Sequence, residues 1–215
     1  MTAYDYFSIA QGALATILLS AASLLLGIPL GLGLALLRTA RIPVANRLVA
    51  AYVSLMRACP LVTLTLLVFY SLPQIGVSLD PIPAALISLT LATSAFNCEI
   101  WRAALLNFPR DQFDAARAFS MPPGLRFRRI VFPQIWRSAL PGLVNEMTLQ
   151  VKGTPAVAVI GIVEITRAAL RIGARTYEPL PPFVFALLLY SLIVMVLVRT
   201  QRRIERRALA AGHAR

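Results

Sequence analysis

The chain has 215 residues, of which 58% are hydrophobic and only 14% are charged, and its formal net charge is +12. A soluble domain needs about a quarter of its residues charged to cover its surface, and a disordered chain lacks this apolar content. These proportions exclude both classes and predict a polytopic membrane protein. A basic surplus often indicates a nucleic-acid partner, so the positions of the charges must decide between nucleic acid and membrane.

Five apolar segments are long enough to cross a bilayer as helices, which takes about 20 residues each. They cover about residues 12–37, 48–72, 83–106, 138–163 and 181–198. The sequence therefore predicts an all-α integral membrane fold in which residues 1–215 form a single transmembrane domain with five transmembrane helices. Three glycines in the first segment predict close helix packing, and three prolines can bend or interrupt the segments that contain them. These residues are Gly27, Gly31, Gly33, Pro29, Pro60 and Pro155.

The basic residues are concentrated on one side of this five-span arrangement. Sixteen of the 21 Lys and Arg residues flank the connections after the first and third segments or follow the fifth. Such an excess marks the cytoplasmic side of a membrane protein, so we expect the N-terminus outside and the C-terminus in the cytoplasm. The net charge then indicates contact with membrane lipid and no nucleic acid as partner. We interpret the Arg-rich C-terminal tail as a topology anchor rather than a lipid-specific or RNA-binding segment.

The connection over residues 107–137 is too long for a turn and reads NFPRDQFDAARAFSMPPGLRFRRIVFPQIWR. Acidic residues early in 111–121 favour a short helix, which Pro122, Pro123 and Gly124 must break. A basic amphipathic stretch follows over 125–132. Two interpretations remain open on physical grounds: an interfacial helix lying on the membrane, or a docking helix for a cytoplasmic partner.

This connection resembles the EAA loop of permease subunits of binding-protein-dependent ABC importers. That loop has the pattern E-A-A, three residues, G, nine variable residues, and I-x-L-P. The resemblance implies that an ATPase-coupling loop is formed by Asp114, Ala115, Ala116, Phe119, Ser120, Met121, Pro122 and Gly124, followed by the matching stretch Ile130 to Pro133. Asp114, Ser120 and Phe132 replace the Glu, Gly and Leu of the pattern. Because Ser lacks the conformational freedom of Gly, we expect the tight turn to move to Pro122-Pro123-Gly124.

Three further stretches are similar to the polar amino acid permease group, in order and at the right spacing. They are Arg57-Ala58-Cys59-Pro60-Leu61 with Phe69-Tyr70, Ala95-Phe96-Asn97-Cys98-Glu99-Ile100-Trp101-Arg102, and Lys152-Gly153-Thr154-Pro155. The match covers roughly Gly12 to Arg203. It implies the five-helix core of a type I ABC importer, paired with a second permease copy or a related permease subunit. It also implies two ATPase subunits that carry ATP and Mg²⁺, an extracytoplasmic solute-binding protein, and location in a bacterial inner membrane.

Four ionisable residues lie inside the predicted spans, where charges are functional candidates. They are Arg57, Glu99, Glu146 and Lys152, and with Thr154 they form the candidate substrate pathway. We expect Glu99 and Arg57 to form a structural pair and Glu146 or Lys152 to face the pathway. Opposite charges near a pathway suit an amino acid, which carries an ammonium and a carboxylate. The alternative is that all four residues form structural pairs, because an unpaired ion in lipid is costly.

No phosphate-binding loop, H-E-x-x-H or G-x-S-x-G pattern is present, so we expect neither a metal site nor catalysis and no cofactor on this chain. The sequence therefore predicts a non-catalytic permease subunit that translocates polar amino acids or analogues by alternating access, driven by partner ATPases. The alternative is a non-transporting membrane scaffold or regulator that recruits a cytoplasmic partner through residues 107–137.

Overall fold

The computed structural model describes residues 1–40 and 42–213, with side chains described up to Arg203. Nine α-helices are found over these residues. They are α1 Ala3–Thr39, α2 Pro43–Ala58, α3 Leu61–Ser71, α4 Pro81–Leu106, α5 Arg110–Ala118, α6 Pro123–Arg126, α7 Phe132–Gly153, α8 Ile165–Thr176 and α9 Leu180–His213. Short 3₁₀ segments cover Leu72–Ile75 and Thr154–Ile160, and a π-helical turn covers Phe127–Val131. The prediction of an all-α chain is confirmed for the described residues, which include no strand.

The centre of the fold is the packing of α1 on α4, the most extensive contact between any two helices described. An ideal Cβ at Gly27 would lie 2.0 Å from Thr93 Cγ2, and one at Gly31 would lie 2.7 Å from Asn97 Cβ. Glycine at these two positions therefore lets the helices approach closely, as predicted. Gly33 is different, because nothing lies within 4 Å of a Cβ built there.

Proline interrupts one predicted span and leaves another intact. Helices α2 and α3 meet at an angle of 109° across Cys59 and Pro60. Proline offers no N–H to the preceding turn and disfavours helical backbone at the residue before it, and Cys59 is accordingly extended, with φ −77° and ψ 126°. Pro29, in contrast, lies inside a continuous α1.

Length and composition mark three described helices as able to cross a membrane: Ala3–Thr39, Pro81–Leu106 and Leu180–Arg203. The bent pair Pro43–Ala58 and Leu61–Ile75 makes a fourth if it counts as one span. The predicted fourth segment, residues 138–163, is not one helix, since α7 ends at Gly153 and a 3₁₀ segment follows. Asn145, Glu146 and Lys152 also make α7 less apolar than its neighbours.

Three clusters of buried side chains hold the helices together. One joins α1, α2, α4 and α7 around Trp101, whose indole N–H donates to the Ile28 carbonyl at 3.1 Å. A second joins α3, α4 and the Thr154–Ile160 segment around Leu89. The third joins the start of α1 to α8 and α9 around Ile165. The third cluster holds α8 beside the start of α1, whereas α5 follows the end of α4 along the chain.

Candidate functional site

Helix α5 is short and presents most of its side chains to solvent. Of its nine residues only Ala116 is buried, so the predicted coupling residues Asp114 and Ala115 lie on the open surface. Phe119, just past the helix end, is 85% exposed, which is unusual for a large aromatic side chain. An exposed aromatic side chain on an amphipathic helix is typical of a docking surface.

The end of α5 is shaped by Ser120, which occupies the left-handed region with φ 54°. The Met121 N–H donates to the Ala116 carbonyl at 3.2 Å, and the Ser120 N–H donates to the Arg117 carbonyl at 2.8 Å. These two bonds form a Schellman motif, in which glycine is the preferred residue at the position of Ser120. Our expectation that the turn moves to Pro122-Pro123-Gly124 is therefore wrong. The turn stays at Ser120, α5 ends before the prolines, and Gly124 lies inside α6.

Two side-chain contacts join the exposed segment to the helices that follow it. The Arg126 guanidinium lies 4.1 Å from the centre of the Phe113 ring, a cation–π contact that joins α6 to α5. Gln134 of α7 donates to Gln112 of α5 at 2.6 Å. A cavity of about 270 Å³ separates this segment from Leu36 and Leu105 at the ends of α1 and α4. A side-chain hydrogen bond thus joins α5 directly to α7.

The candidate pathway residues do not come together as one site. Glu99 pairs with Arg38 of α1 and with Arg102, whose Nη2 lies 2.7 Å from Glu99 Oε2. Our prediction of a Glu99–Arg57 pair is therefore wrong. The chain separation between Arg38 and Glu99 is 61 residues, so only the packing of α1 on α4 makes them neighbours.

Arg57 instead lies over the Phe96 ring, with the guanidinium carbon 5.4 Å from the ring centre. Arg57 and Glu146 form no ion pair in the part of the chain that the structure describes. Glu146 is only 6% exposed. The alternative prediction, that all four intramembrane charges form structural pairs, therefore holds for Glu99. Among the described residues it does not hold for Arg57, Glu146 or Lys152.

Lys152 is exposed and lines an open groove of about 710 Å³ between the end of α7 and α9. The groove walls are mostly apolar, and Tyr190, Arg199 and Arg202 add polar groups along α9. Thr154 lies close by in the chain but is fully buried, and its hydroxyl donates to the Val151 carbonyl at 2.8 Å. Lys152 therefore faces an open space, and Thr154 shapes the end of α7.

Sequence reasoning missed the residues that hold α8 in place. Glu164 is fully buried and accepts hydrogen bonds from the N–H groups of Thr166 and Arg167, at 2.9 and 2.7 Å. The Tyr190 hydroxyl donates to the same carboxylate at 2.8 Å. An acidic residue directly before a helical pattern was the available signal, because anions are favourable at helix N-termini.

Fold and site together define a helical protein with membrane-length apolar helices and an exposed helix–turn element between α4 and α7. The chain belongs to the family described as binding-protein-dependent transport system inner membrane component, whose model matches residues 27–209. This membership confirms the predicted resemblance and the prediction of a transport subunit rather than an enzyme. It also implies ATPase and substrate-binding protein partners and a pairing of permeases.

Individual relatives agree with this assignment over nearly their full lengths. The arginine transport system permease protein ArtQ of Bacillus subtilis (strain 168) is 31% identical over 200 residues, covering 93% of this chain and 91% of ArtQ. The histidine/lysine/arginine/ornithine transport system permease protein HisQ of Salmonella typhimurium (strain LT2) is 31% identical, covering 93% and 92%. A chain of a solved amino acid ABC transporter, crystallised with histidines, superimposes with a TM-score of 0.84 at 28% identity, covering 93% and 94%.

Proposed function

We propose that this chain is the permease subunit of an ATP-driven importer of polar amino acids or close analogues in a bacterial inner membrane. The observation that carries the proposal is the exposed α5–Ser120 element on a fold of this family. ArtQ is an arginine permease and HisQ a histidine/lysine/arginine/ornithine permease, which supports an amino acid as cargo. The same comparisons give no support to a non-transporting scaffold.

In this proposal the chain crosses the membrane five times, with the N-terminus outside and the C-terminus in the cytoplasm. The basic residues of the 107–137 segment then lie on the cytoplasmic side, as the positive-inside rule requires. The bent α2–α3 pair forms the second span. Helix α7 with the Thr154–Ile160 segment forms the fourth, since its polar side chains can face the interior or a second permease instead of lipid.

The exposed face of α5 and Phe119 receives force from an ATPase subunit. When two such ATPases bind ATP and close, they displace α5, and the contacts to α7 pass the displacement into the bundle. Two permeases rocking in this way alternate access between the two sides of the membrane. ATP and Mg²⁺ belong to the ATPases, and this chain holds no cofactor. Substrate arrives from an extracytoplasmic solute-binding protein.

The groove beside Lys152 is our candidate for the wall of the substrate pathway. A cation in a mostly apolar groove can hold the carboxylate of an amino acid while the walls exclude water. Arg57 and Glu146 remain candidate pathway residues, because neither forms an ion pair among the described residues. The two arginine partners of Glu99 support a structural role for that residue.

The proposal is tested by reconstituting the chain with its ATPase and a solute-binding protein in vesicles. We expect ATP-dependent uptake of radiolabelled amino acids, and its absence with active ATPase present would contradict the proposal. Deleting residues 114–124 should abolish both uptake and co-purification of the ATPase. Under the scaffold alternative the deletion would also abolish co-purification, but the intact chain would show no uptake in the first place.

A single substitution tests the coupling surface more sharply. Phe119→Ala should lower ATPase co-purification strongly and leave thermal stability unchanged, because this side chain is almost fully exposed. The matched control is Phe113→Ala, which removes the cation–π contact with Arg126 and should lower stability. If Phe119→Ala retains full ATPase binding, the coupling surface is not where we place it.

Lys152→Ala tests the pathway. Since this side chain is exposed and has no ion-pair partner in the described residues, the substitution should leave stability intact and raise the KM for uptake. Lys152→Arg should restore most of the affinity, because it keeps the positive charge. Unchanged uptake kinetics with alanine would exclude Lys152 from the pathway.

A further inference from the structure

Tyr190 of α9 contributes to two parts of the fold. Its side chain lines the groove that also contains Lys152, and its hydroxyl donates to the buried Glu164 carboxylate at 2.8 Å. No other residue of the groove makes a side-chain hydrogen bond to the start of α8 in the part of the chain that the structure describes. Tyr190 is therefore the direct polar link between the candidate pathway and α8.

The Glu164 carboxylate depends on few hydrogen-bond donors. It is fully buried and forms no ion pair among the described residues, and the Arg167 guanidinium donates instead to the Ala158 carbonyl. Its donors are the N–H groups of Thr166 and Arg167 and the Tyr190 hydroxyl. Because a buried carboxylate that loses a donor is destabilised, the hydrogen bond from Tyr190 supports the whole cap of α8.

The direction of the hydrogen bonds at Tyr190 follows from its single hydroxyl proton. With that proton on Glu164, the Thr166 hydroxyl, 3.1 Å from the Tyr190 oxygen, is the donor in the second hydrogen bond. Tyr190 thus makes one bond to the carboxylate and one to the first turn of α8. The two bonds can be removed separately by substitution.

Glu164 in turn contacts two helices. The N–H groups of Thr166 and Arg167 lie in the first turn of α8, where backbone donors have no partner within the helix, so their protection from water depends on this carboxylate. The Glu164 backbone packs against α1, since an ideal Cβ at Gly12 would lie 2.8 Å from the Glu164 carbonyl carbon. The position of Glu164 therefore affects both α8 and α1.

We propose that Tyr190 is a positioning residue that couples occupation of the groove to the first turn of α8. The inference rests on the proposed function, in which an amino acid binds beside Lys152. Tyr190 is only half-buried and accessible from the groove, so a bound amino acid packs on its ring and restricts the rotation of this side chain. The Tyr190 hydroxyl is then held on Glu164, and α8 is capped more firmly.

Such a contact is what a transport cycle requires of a substrate. A ligand shifts a conformational equilibrium only through interactions that differ between the two states. The hydrogen bond from Tyr190 to Glu164 is an interaction of this kind, because it joins a wall of the groove to a helix outside it. We therefore expect Tyr190 to affect the rate of transport more than the affinity for substrate.

The direct test measures amide hydrogen exchange over residues 164–168 in the full chain assembled with its ATPases, with and without a mixture of the standard amino acids. In the unmodified chain the mixture should slow exchange roughly tenfold, since one hydrogen bond to a carboxylate is at stake. In Tyr190→Phe, exchange should be faster and equal with and without the mixture. Exchange in the unmodified chain that ignores the amino acids would overturn the coupling, as would a response that persists in Tyr190→Phe.

Two substitutions serve as matched controls. Thr166→Val removes the second hydrogen bond of the Tyr190 hydroxyl and keeps the bond to Glu164, so the response to amino acids should persist. Its loss would overturn the assignment of the link to the carboxylate. Tyr70→Phe removes an exposed hydroxyl that has no hydrogen bond among the described residues and should behave as the unmodified chain. A lost response there would show that the effect is not particular to Tyr190.

Uptake kinetics separate a positioning role from a wall of the binding site. Tyr190→Phe keeps the ring in the groove, so the KM should stay within about twofold while the maximal rate falls roughly tenfold. A raised KM with an unchanged maximal rate would overturn the inference. With the ATPase and the solute-binding protein present, no uptake at all by the unmodified chain refutes the proposed function. Uptake accompanied by α8 exchange that ignores amino acids refutes only the coupling through Tyr190.

Discussion

Substituting alanine at three glycines of α1 tests the helix contact on which the whole bundle rests. At Gly27 the new Cβ would lie 2.0 Å from Thr93 Cγ2, whereas carbon atoms normally approach to about 3.5–4.0 Å. Either Thr93 must move by more than 1 Å, roughly, or α1 must separate from α4. Overpacking of this kind costs about 1–3 kcal/mol, partly offset by about 0.5–1 kcal/mol from the better helix propensity of alanine.

The obstacle at Gly27 is a single methyl group, so it can be removed. In Thr93→Ser the next atoms, Ser94 N and the Cβ of residue 93, lie 3.3 Å from the new Cβ. Thr93→Ser alone should cost about 1 kcal/mol for one buried methyl group. The double variant Gly27→Ala with Thr93→Ser should therefore be more stable than the sum of the single effects predicts, a coupling of about 1–2 kcal/mol.

Two other positions serve as controls on the same helix. At Gly31 the near atoms are Asn97 Cβ and the Cys98 backbone nitrogen, at 2.7 and 2.9 Å. No substitution removes the backbone nitrogen, so Gly31→Ala should be destabilising without rescue. Gly33→Ala meets nothing within 4 Å and should be neutral or stabilising by up to about 0.5–1 kcal/mol.

The assay is the thermal midpoint of the purified chain in detergent at a fixed scan rate. For a chain of this size about 1 kcal/mol corresponds to roughly 2–4 °C. Equal midpoints for Gly27→Ala and Gly33→Ala would refute a close contact of α1 with α4 at Gly27. Failure of Thr93→Ser to restore the midpoint of Gly27→Ala would refute the Thr93 methyl group as the obstacle.

Three further predictions concern residues that hold the exposed helices. Ser120→Gly should stabilise the chain by about 0.5–1 kcal/mol: glycine removes the strain of left-handed backbone, and the higher conformational entropy that it gives the unfolded chain offsets part of this gain. Ser120→Val should lower the thermal midpoint. Glu99→Gln should cost about 1–3 kcal/mol because it leaves two arginines without their carboxylate, whereas Arg57→Ala should cost less than Glu99→Gln. Glu164→Ala should cost about 1–2 kcal/mol as a lost helix cap and should speed amide hydrogen exchange across α8.

Each of these has a result that contradicts it. A Ser120→Gly variant with an unchanged or lowered midpoint would mean that Ser120 is not strained. If Glu99→Gln and Arg57→Ala lower the thermal midpoint equally, the Glu99–Arg57 ion pair that we reject would be supported. Unchanged exchange in α8 after Glu164→Ala would remove the carboxylate as its anchor.

The candidate site was predictable to the extent that local pattern determines it. The motif around Asp114 located the exposed helix, because an acidic start, small residues and a proline break are legible from sequence alone. The residue at which α5 ends was not predictable, because the preference for glycine over serine in left-handed backbone describes only an average energetic cost. Ser120 adopts this conformation despite the cost, and the two hydrogen bonds of the Schellman motif form there.

The sequence by itself determined that this is an apolar helical membrane protein of a recognisable transport family, since composition and order are properties of the chain alone. Only the tertiary structure decided which charges meet. Arg38 and Glu99 are 61 residues apart and pair because two glycines let α1 approach α4. The sixteen basic residues that indicate the orientation of the chain in the membrane could be identified from the sequence alone. The exposure of Arg171 and the left-handed backbone of Tyr177 required coordinates, because exposure and backbone conformation depend on what the rest of the fold covers.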